Sequence, residues 1–191
     1  DIVDIMLVID MSSSMLAEDF KPNRLEAVKE VAKLFIKERE GDRLGIIIFA
    51  GESFIQCPLT TDIEILIEFI DKIKIADKEF DGTAIGMAIA NAVNRLRFTE
   101  SKSKLMILLS DGSNNRGELD PITAAELASK FDIKIYTIGA GKRGKAPYPV
   151  QDVFGRTSLQ MIEVEVDEKT LKEISDVTKG SFYRATDNKS L

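Results

Sequence analysis

Ile2-Val3-Asp4-Ile5-Met6-Leu7-Val8-Ile9-Asp10-Met11-Ser12-Ser13-Ser14 is the stretch on which the reading turns. From Ile2 to Ile9 it is nearly all apolar and β-branched. It lacks the polar alternation of a strand that wets one face, so it reads as a strand buried on both sides. It ends on a carboxylate, Asp10, and runs directly into a serine-rich loop. A strand covered on both faces needs helices above and below it, and the rest of the chain is patterned to supply them.

Pro22-Asn23-Arg24 opens a helix to about Glu40, with Leu25, Val28, Ala32, Phe35 and Ile36 as its buried stripe and Gly41-Asp42 as its stop. Arg43 to Ala50 is a second apolar strand. Thr61 and Asp62 cap a helix through about Ile73, and a polar loop carries Asp81-Gly82-Thr83 to the next helix, Ala84 to Leu96. Lys104 to Leu109 is a third apolar strand, ending in Ser110-Asp111-Gly112. A helix from Pro121 through Lys130 and a strand from Ile133 to Ile138 follow.

Then the rhythm breaks. Residues 142–166 carry Gly144, Pro147, Pro149 and Gly155, followed by alternating Leu159, Met161, Glu163 and Glu165, which predicts an inserted loop or hairpin at one rim of the sheet. Asp167 caps a helix ending near Lys179-Gly180, Ser181 to Arg184 forms a short last strand, and Asn188 to Leu191 reads as the first turn of a further helix. The repeated βα order specifies a doubly wound α/β domain, a mostly parallel sheet with helices on both faces. The chain is read as a single domain, 1–191, excised from a larger membrane-anchored protein and lacking the end of its last helix.

Composition narrows the chemistry. The 191 residues carry a formal net charge of -6 with acids and bases interleaved, which argues against a phosphate-tracking surface and hence against nucleic acid. The short basic cluster Lys142, Arg143 and Lys145 reads as a solvated loop tip. There is no histidine, which removes imidazole zinc sites, Ser-His triads and His general bases. Cys57 is the only cysteine, so no intramolecular disulfide forms, and beside Phe54, Ile55 and Leu59 it reads as a partly buried structural thiol. No apolar run approaches the roughly 20 residues that span a bilayer.

In a doubly wound sheet the ligand site lies outside the carboxyl ends of the strands, near the switch in strand order. Asp10 and Asp111 both stand at such ends. Ser12 and Ser14 follow Asp10 at spacings of two, and Thr83 heads its own helix. Two carboxylates and three hydroxyls are all hard oxygen donors, a set that suits Mg²⁺ or Mn²⁺, Ca²⁺ less well and zinc poorly. Taken singly, each residue has a structural alternative: serines cap and turn, and aspartates satisfy loop amides. Two further alternatives stand beside a metal-dependent binding site. One is a Mg²⁺-dependent phosphotransferase or phosphatase-like enzyme, which also uses aspartates at strand ends. The other is a metal-free structural module. Dinucleotide binding is disfavoured, because serines and Asp19 follow the first strand in place of a glycine-rich loop.

Ile9-Asp10-Met11-Ser12-Ser13-Ser14-Met15 resembles the Asp-x-Ser-x-Ser signature of the von Willebrand factor A (VWA) family, whose fold is Rossmann-like. Thr83 in Asp81-Gly82-Thr83, and Asp111 in Leu109-Ser110-Asp111-Gly112, resemble its two other elements. The resemblance implies a metal-ion-dependent adhesion site: Ser12, Ser14 and Thr83 coordinate the ion directly, and Asp10 and Asp111 do so directly or through water. It implies a protein-binding domain and no catalysis. The family usually has Gly where this chain has Ser13, and serine fits that turn if its φ is negative.

A closer resemblance, to the bacterial BatA proteins of the Bacteroides aerotolerance group, runs through Met15 to Leu25, Phe49 to Ser53, Pro58 to Asp62, Asp81 to Gly86 and Ala146 to Val150. It implies a parent protein in a bacterial inner membrane, with this domain soluble and periplasmic. It also implies operon-encoded envelope partners, chaperone-like ATPases and tetratricopeptide-repeat proteins among them, in aerotolerance or stress. The five donors leave an octahedral ion at least one exchangeable position, which an Asp or Glu of a partner would take. Glu18 and Asp19, just past the turn, are expected to face solvent. Rim loops after Asp10, around Phe54, around Asp81 and after Gly112 would set specificity, with Phe20 and Phe54 as apolar anchors unless they are buried against the domain.

Overall fold

The computed structural model describes residues 2–185. The helical turn expected from Asn188 to Leu191 lies outside the described residues. In chain order the elements are β1 (Val3–Asp10), α1 (Arg24–Lys37), β2 (Arg43–Phe49), β3 (Ser53–Thr60), α2 (Ile63–Asp71), α3 (Ile85–Leu96), β4 (Ser103–Ser110), α4 (Pro121–Lys130), β5 (Ile133–Ala140), β6 (Gly144–Gln151), β7 (Thr157–Val164), α5 (Glu168–Val177) and β8 (Phe182–Ala185). Short 3-10 turns at Ser13–Leu16 and Lys78–Phe80 complete them.

Among the described residues six strands form one sheet in the order β3-β2-β1-β4-β5-β8, parallel except for β3. The direction of winding changes at β1, whose neighbours are β2 on one side and β4 on the other. The expected mostly parallel, doubly wound sheet is therefore what forms. β1 alternates its apolar side chains between two cores. Met6 and Val8 pack with α3, α4 and α5, while Ile5, Leu7 and Ile9 pack with α1 and α2. That two-sided burial is why the strand reads as a continuous apolar run rather than an alternating one.

The helices start where the sequence places caps. Asn23 accepts from the Glu26 amide, Asp62 from Ile65, Asp120 from Thr123 ahead of Pro121, and Asp167 from Thr170. One element differs from expectation. The run Ser53 to Thr60 is an antiparallel edge strand, β3, with register shifts against β2. Pro58 and the mixed polarity of Gln56 and Cys57 hide it, in keeping with proline's confinement to edges and bulges. The insertion at 142–166 takes the hairpin form of the two that were expected, with β6 paired antiparallel to β7 as a separate two-stranded sheet. Cys57 is buried; desolvation, then the nearby Asp62 charge, pushes its thiol pKa up, which keeps it unreactive at neutral pH.

Candidate functional site

The register of β1 with β4 pairs Ile9 with Leu109, so Asp10 and Ser110 end adjacent strands at the switch point. The Ser110 hydroxyl donates to Asp10 Oδ2 at 2.7 Å. The chain then turns back on itself: Ser12 donates its amide (2.9 Å) and its hydroxyl (2.6 Å) to Asp10 Oδ1. The Ser12 and Ser14 hydroxyls lie 3.1 Å apart. Asp10, Ser12, Thr83 and Asp111 are buried, and Ser14 is half-buried. Ser13 keeps a negative φ, for among the described residues only Asp132 and Lys179 are non-glycines with positive φ. The serine in the usual glycine place therefore costs no left-handed strain. Its amide donates to Asp81 Oδ1 at 2.9 Å and its carbonyl accepts from the Tyr148 hydroxyl at 3.0 Å.

Thr83 reaches the same edge by a different route. The Ala84 amide donates to the Ala50 carbonyl at the end of β2 (2.7 Å), and Gly51 donates to Phe80 (2.7 Å). The loop after β4 clamps Thr83 from the other side: its amide donates to Asn115 Oδ1 (2.9 Å), and its carbonyl accepts from the Asn115 and Arg116 amides. Asn114 caps the start of α3 through the Ile85 amide at 3.0 Å. Asp111, Ser14 and Arg24 line one hollow of about 440 Å³ with Tyr148 and Ile162 of the hairpin. The structure thus brings Asp10, Ser12, Ser14 and Asp111 together and sets Thr83 at the same rim.

Electrostatics at this edge are unbalanced. Burial, followed by repulsion from Asp111, raises the Asp10 pKa to about 7, and the hydrogen bonds from Ser110 and Ser12 only partly offset it. Asp81 behaves oppositely: burial works against ionisation, but the Ser13 amide and hydroxyl, the Gly82 amide and Arg116 hold its carboxyl below the usual range. Asp19 corrects an expectation. Its carboxylate, 4 % exposed, does not face solvent but is paired with Arg24. Burial opposes its ionisation too, yet the Arg24 guanidinium and the Lys142 amide outweigh that and lower its pKa.

Several residues here had no assigned role in the sequence reading of the site: Ser110, Asn114, Asn115, Tyr148 and Arg24, while Asp81 was named only as the centre of a rim loop. Arg24 did leave a signal, because a cation in the first turn of a helix opposes the helix dipole and so needs another reason to be there. Phe20 is 1 % exposed and packs with Ala27 and Ala185, so it is a core residue and no partner anchor. Phe54 stays 38 % exposed, edge-to-face on Phe80 with ring centroids 5.9 Å apart. Lys142, Arg143 and Lys145 are solvent-exposed as expected, but they lie where β6 begins, Lys145 within the strand, and not at a loop tip.

An α/β sheet with acids and hydroxyls gathered at its switch point defines a class of Rossmann-like domains. The chain belongs to the von Willebrand factor type A domain family, whose model matches residues 4–191. An aerotolerance-related membrane protein from Bacteroides fragilis has a solved structure 30 % identical in sequence, with a TM-score of 0.81 over 96 % of this chain and 91 % of that one. BatB from Bacteroides thetaiotaomicron is 31 % identical, with a TM-score of 0.80 over 96 % and 90 %. An uncharacterized protein of Borreliella burgdorferi is 35 % identical over 186 residues, 97 % of this chain. The chain spans about half the length of the curated relatives it matches, 54 % of the Borreliella protein. This is a VWA domain related to aerotolerance membrane proteins. Among the described residues no helix is long and apolar enough to cross a membrane.

Proposed function

We propose that the domain binds a partner protein through a divalent cation held by Asp10, Ser12, Ser14, Thr83 and Asp111, with an Asp or Glu of the partner completing the coordination shell. The observation that carries this reading is the pair of buried carboxylates at the switch point, one with its pKa raised to about 7 and in part by the other's charge. Such an arrangement is unfavourable by itself and is relieved by a cation. The donor set fits that cation. Among the described residues no three His, Cys, Asp or Glu side chains gather into a metal cluster; two carboxylates and neutral hydroxyls are what converge. These are ligands for Mg²⁺ or Mn²⁺. Two acids balance the ion's charge, and the hydroxyls leave it electrophilic enough to attract an outside carboxylate.

The domain is not an enzyme in this reading: its residues hold and present the ion, and the partner's carboxylate is the ligand. Similarity to an aerotolerance-related membrane protein supports a place in the bacterial cell envelope. There the parent is anchored in the inner membrane, the domain is periplasmic, and the partners are envelope proteins of the same operon, in aerotolerance or stress. The domain is read as one unit, 1–191, of a longer protein.

The test is a pull-down of envelope proteins by the wild type, by Asp10→Ala, and by the wild type in excess EDTA. Recovery from the wild type alone is expected. Equal recovery in all three arms means that partner binding ignores the metal, and the reading is then wrong.

A further inference from the structure

Arg24 is 1 % exposed, among the largest fully buried side chains of the domain. Its fork is closed on Asp19, Nε donating to Oδ1 at 2.8 Å and Nη2 to Oδ2 at 2.7 Å. The remaining nitrogen, Nη1, donates to Asp111 Oδ2 at 3.3 Å. On one side the guanidinium packs against the backbone of Gly141. Gly141, at φ 149°, lies so close that a Cβ there would stand 2.6 Å from Nη2, and Asp19 Oδ2 is further pinned by the Lys142 amide at 2.7 Å.

The consequence falls on Asp111. Its Oδ1 accepts from the Ser113 amide at 3.2 Å and its Oδ2 from Arg24. Asp10 is engaged in the same way, Oδ1 by Ser12 and Oδ2 by Ser110. Each carboxylate therefore has a donor on each oxygen. A cation chelated by both oxygens of one carboxylate needs both of them turned towards it; a cation bound to one oxygen leaves the other to its hydrogen bond. Ca²⁺ takes more ligands than Mg²⁺ and gains them by bidentate carboxylates, whereas Mg²⁺ keeps an octahedron of single oxygens and water.

We propose that Arg24 determines which divalent ion the domain accepts: by holding Asp111 Oδ2 it restricts Asp111 to one ligating oxygen, favouring Mg²⁺ and Mn²⁺ over Ca²⁺. The inference rests on the reading of Asp10, Ser12, Ser14, Thr83 and Asp111 as a metal site. Arg24 touches no ion; it is a positioning residue acting through Asp111. Its guanidinium does this as no ammonium could, because only a planar fork with a third nitrogen can lock onto one carboxylate and reach a second.

The experiment is calorimetric titration with MgCl₂, MnCl₂ and CaCl₂ of the wild type, of Arg24→Lys, and of the double variant Asp19→Asn/Arg24→Gln. Arg24→Lys keeps the charge and loses the fork; the double variant removes both charges of the pair and keeps polar side chains in their place. The wild type should bind Mg²⁺ about tenfold or more tighter than Ca²⁺, and in both variants the ratio should fall to about threefold or less. A wild-type ratio near one overturns the proposal, as does an unchanged ratio in variants with wild-type circular dichroism. A role in folding alone would shift the melting temperature without moving this ratio. If the wild type takes none of the three ions, the metal site itself is refuted, an outcome distinct from an unmoved ratio. Should both variants fail to fold, infrared difference spectra of the wild type on adding Mg²⁺ decide. Wide splitting of the carboxylate stretches, the mark of one-oxygen ligation, is expected, and narrow splitting overturns the proposal.

Discussion

β1 carries a buried aspartate near its start and another at its end, and the two are compensated in opposite ways. Asp4 meets Arg43 of β2 in a two-pronged ion pair, Nε to Oδ1 at 2.7 Å and Nη2 to Oδ2 at 2.8 Å. That charge is answered from within the chain. Asp10, six residues later on the same strand, is held by neutral donors, the Ser12 amide and hydroxyl and the Ser110 hydroxyl, with the like charge of Asp111 beside it. A buried carboxylate costs several kcal/mol unless it is paired. The contrast teaches that burial of an acid says nothing about function by itself; the identity of what faces it does. Asp4 fastens two strands, whereas Asp10 invites a cation from outside.

Deleting each acid in turn separates the two ends of β1. Asp10→Ala should lower Mn²⁺ affinity by about a hundredfold or more, roughly 2.7 kcal/mol, in a calorimetric titration. Asp4→Ala should leave that affinity within about twofold and instead lower the denaturation free energy by roughly 2 kcal/mol, the worth of charge-assisted hydrogen bonds to a half-exposed arginine. If both variants lose metal, or neither does, the two ends of β1 do not differ as described.

A pH series sharpens the same point. Because the Asp10 pKa is higher in the folded protein than the ordinary 3.8, the folded state binds the extra proton between about pH 4 and pH 7. Stability of the metal-free protein should therefore fall as pH rises through that window, by up to about 1.4 kcal/mol per pH unit. The lowered pKa of Asp19 acts in the opposite sense, its stabilisation being lost only as pH drops below the usual carboxylate range. Denaturant melts of the wild type in EDTA should show the decline; Asp10→Asn, or saturating Mg²⁺, should flatten it. A flat wild-type profile would remove the claim that burial, with the Asp111 charge second, disfavours ionisation of Asp10.

Smaller effects are expected from groups that finish or brace the site. Thr83→Ala should weaken Mn²⁺ binding about tenfold, near 1.4 kcal/mol, while leaving the melt in EDTA almost unmoved; a large loss of stability with unchanged affinity would make Thr83 structural. Tyr148→Phe removes only the hydroxyl that donates to the Ser13 carbonyl. It should cost about 1 kcal/mol or less, visible as a weakening of metal binding by severalfold at most, and an effect larger than that of Thr83→Ala would move the burden of organising the loop to the hairpin.

The parts of the site that were legible in the chain are those written locally. A strand ending in Asp10, serines two and four residues later, and a second apolar strand ending next to Asp111 are linear patterns. The topology rule that puts ligands at strand ends converts them into a place. What was not legible depended on groups far apart in sequence. Ser110 lies 100 residues from the carboxylate it serves, Asp81 68 residues from the Ser13 amide, and Tyr148 135 residues from the Ser13 carbonyl. Asp19 failed differently: a polar residue after a turn is solvent-exposed by default, and only the return of the chain at Gly141-Lys142 closes over it.

The order of the parallel strands and the helices, both faces of the central sheet and the candidate donors were written in the sequence, because periodicity, caps and turn residues act over a few neighbours. Tertiary structure alone decided three things. It made 53–60 an edge strand, for an edge is defined by what fails to pair with it. It laid the 144–164 hairpin so that its Tyr148 reaches the Ser13 loop. It gave Asp4 a cation and Asp10 none, because strand register chooses which residues face each other: Asp4 falls opposite Arg43, whereas Asp10 falls opposite Phe49.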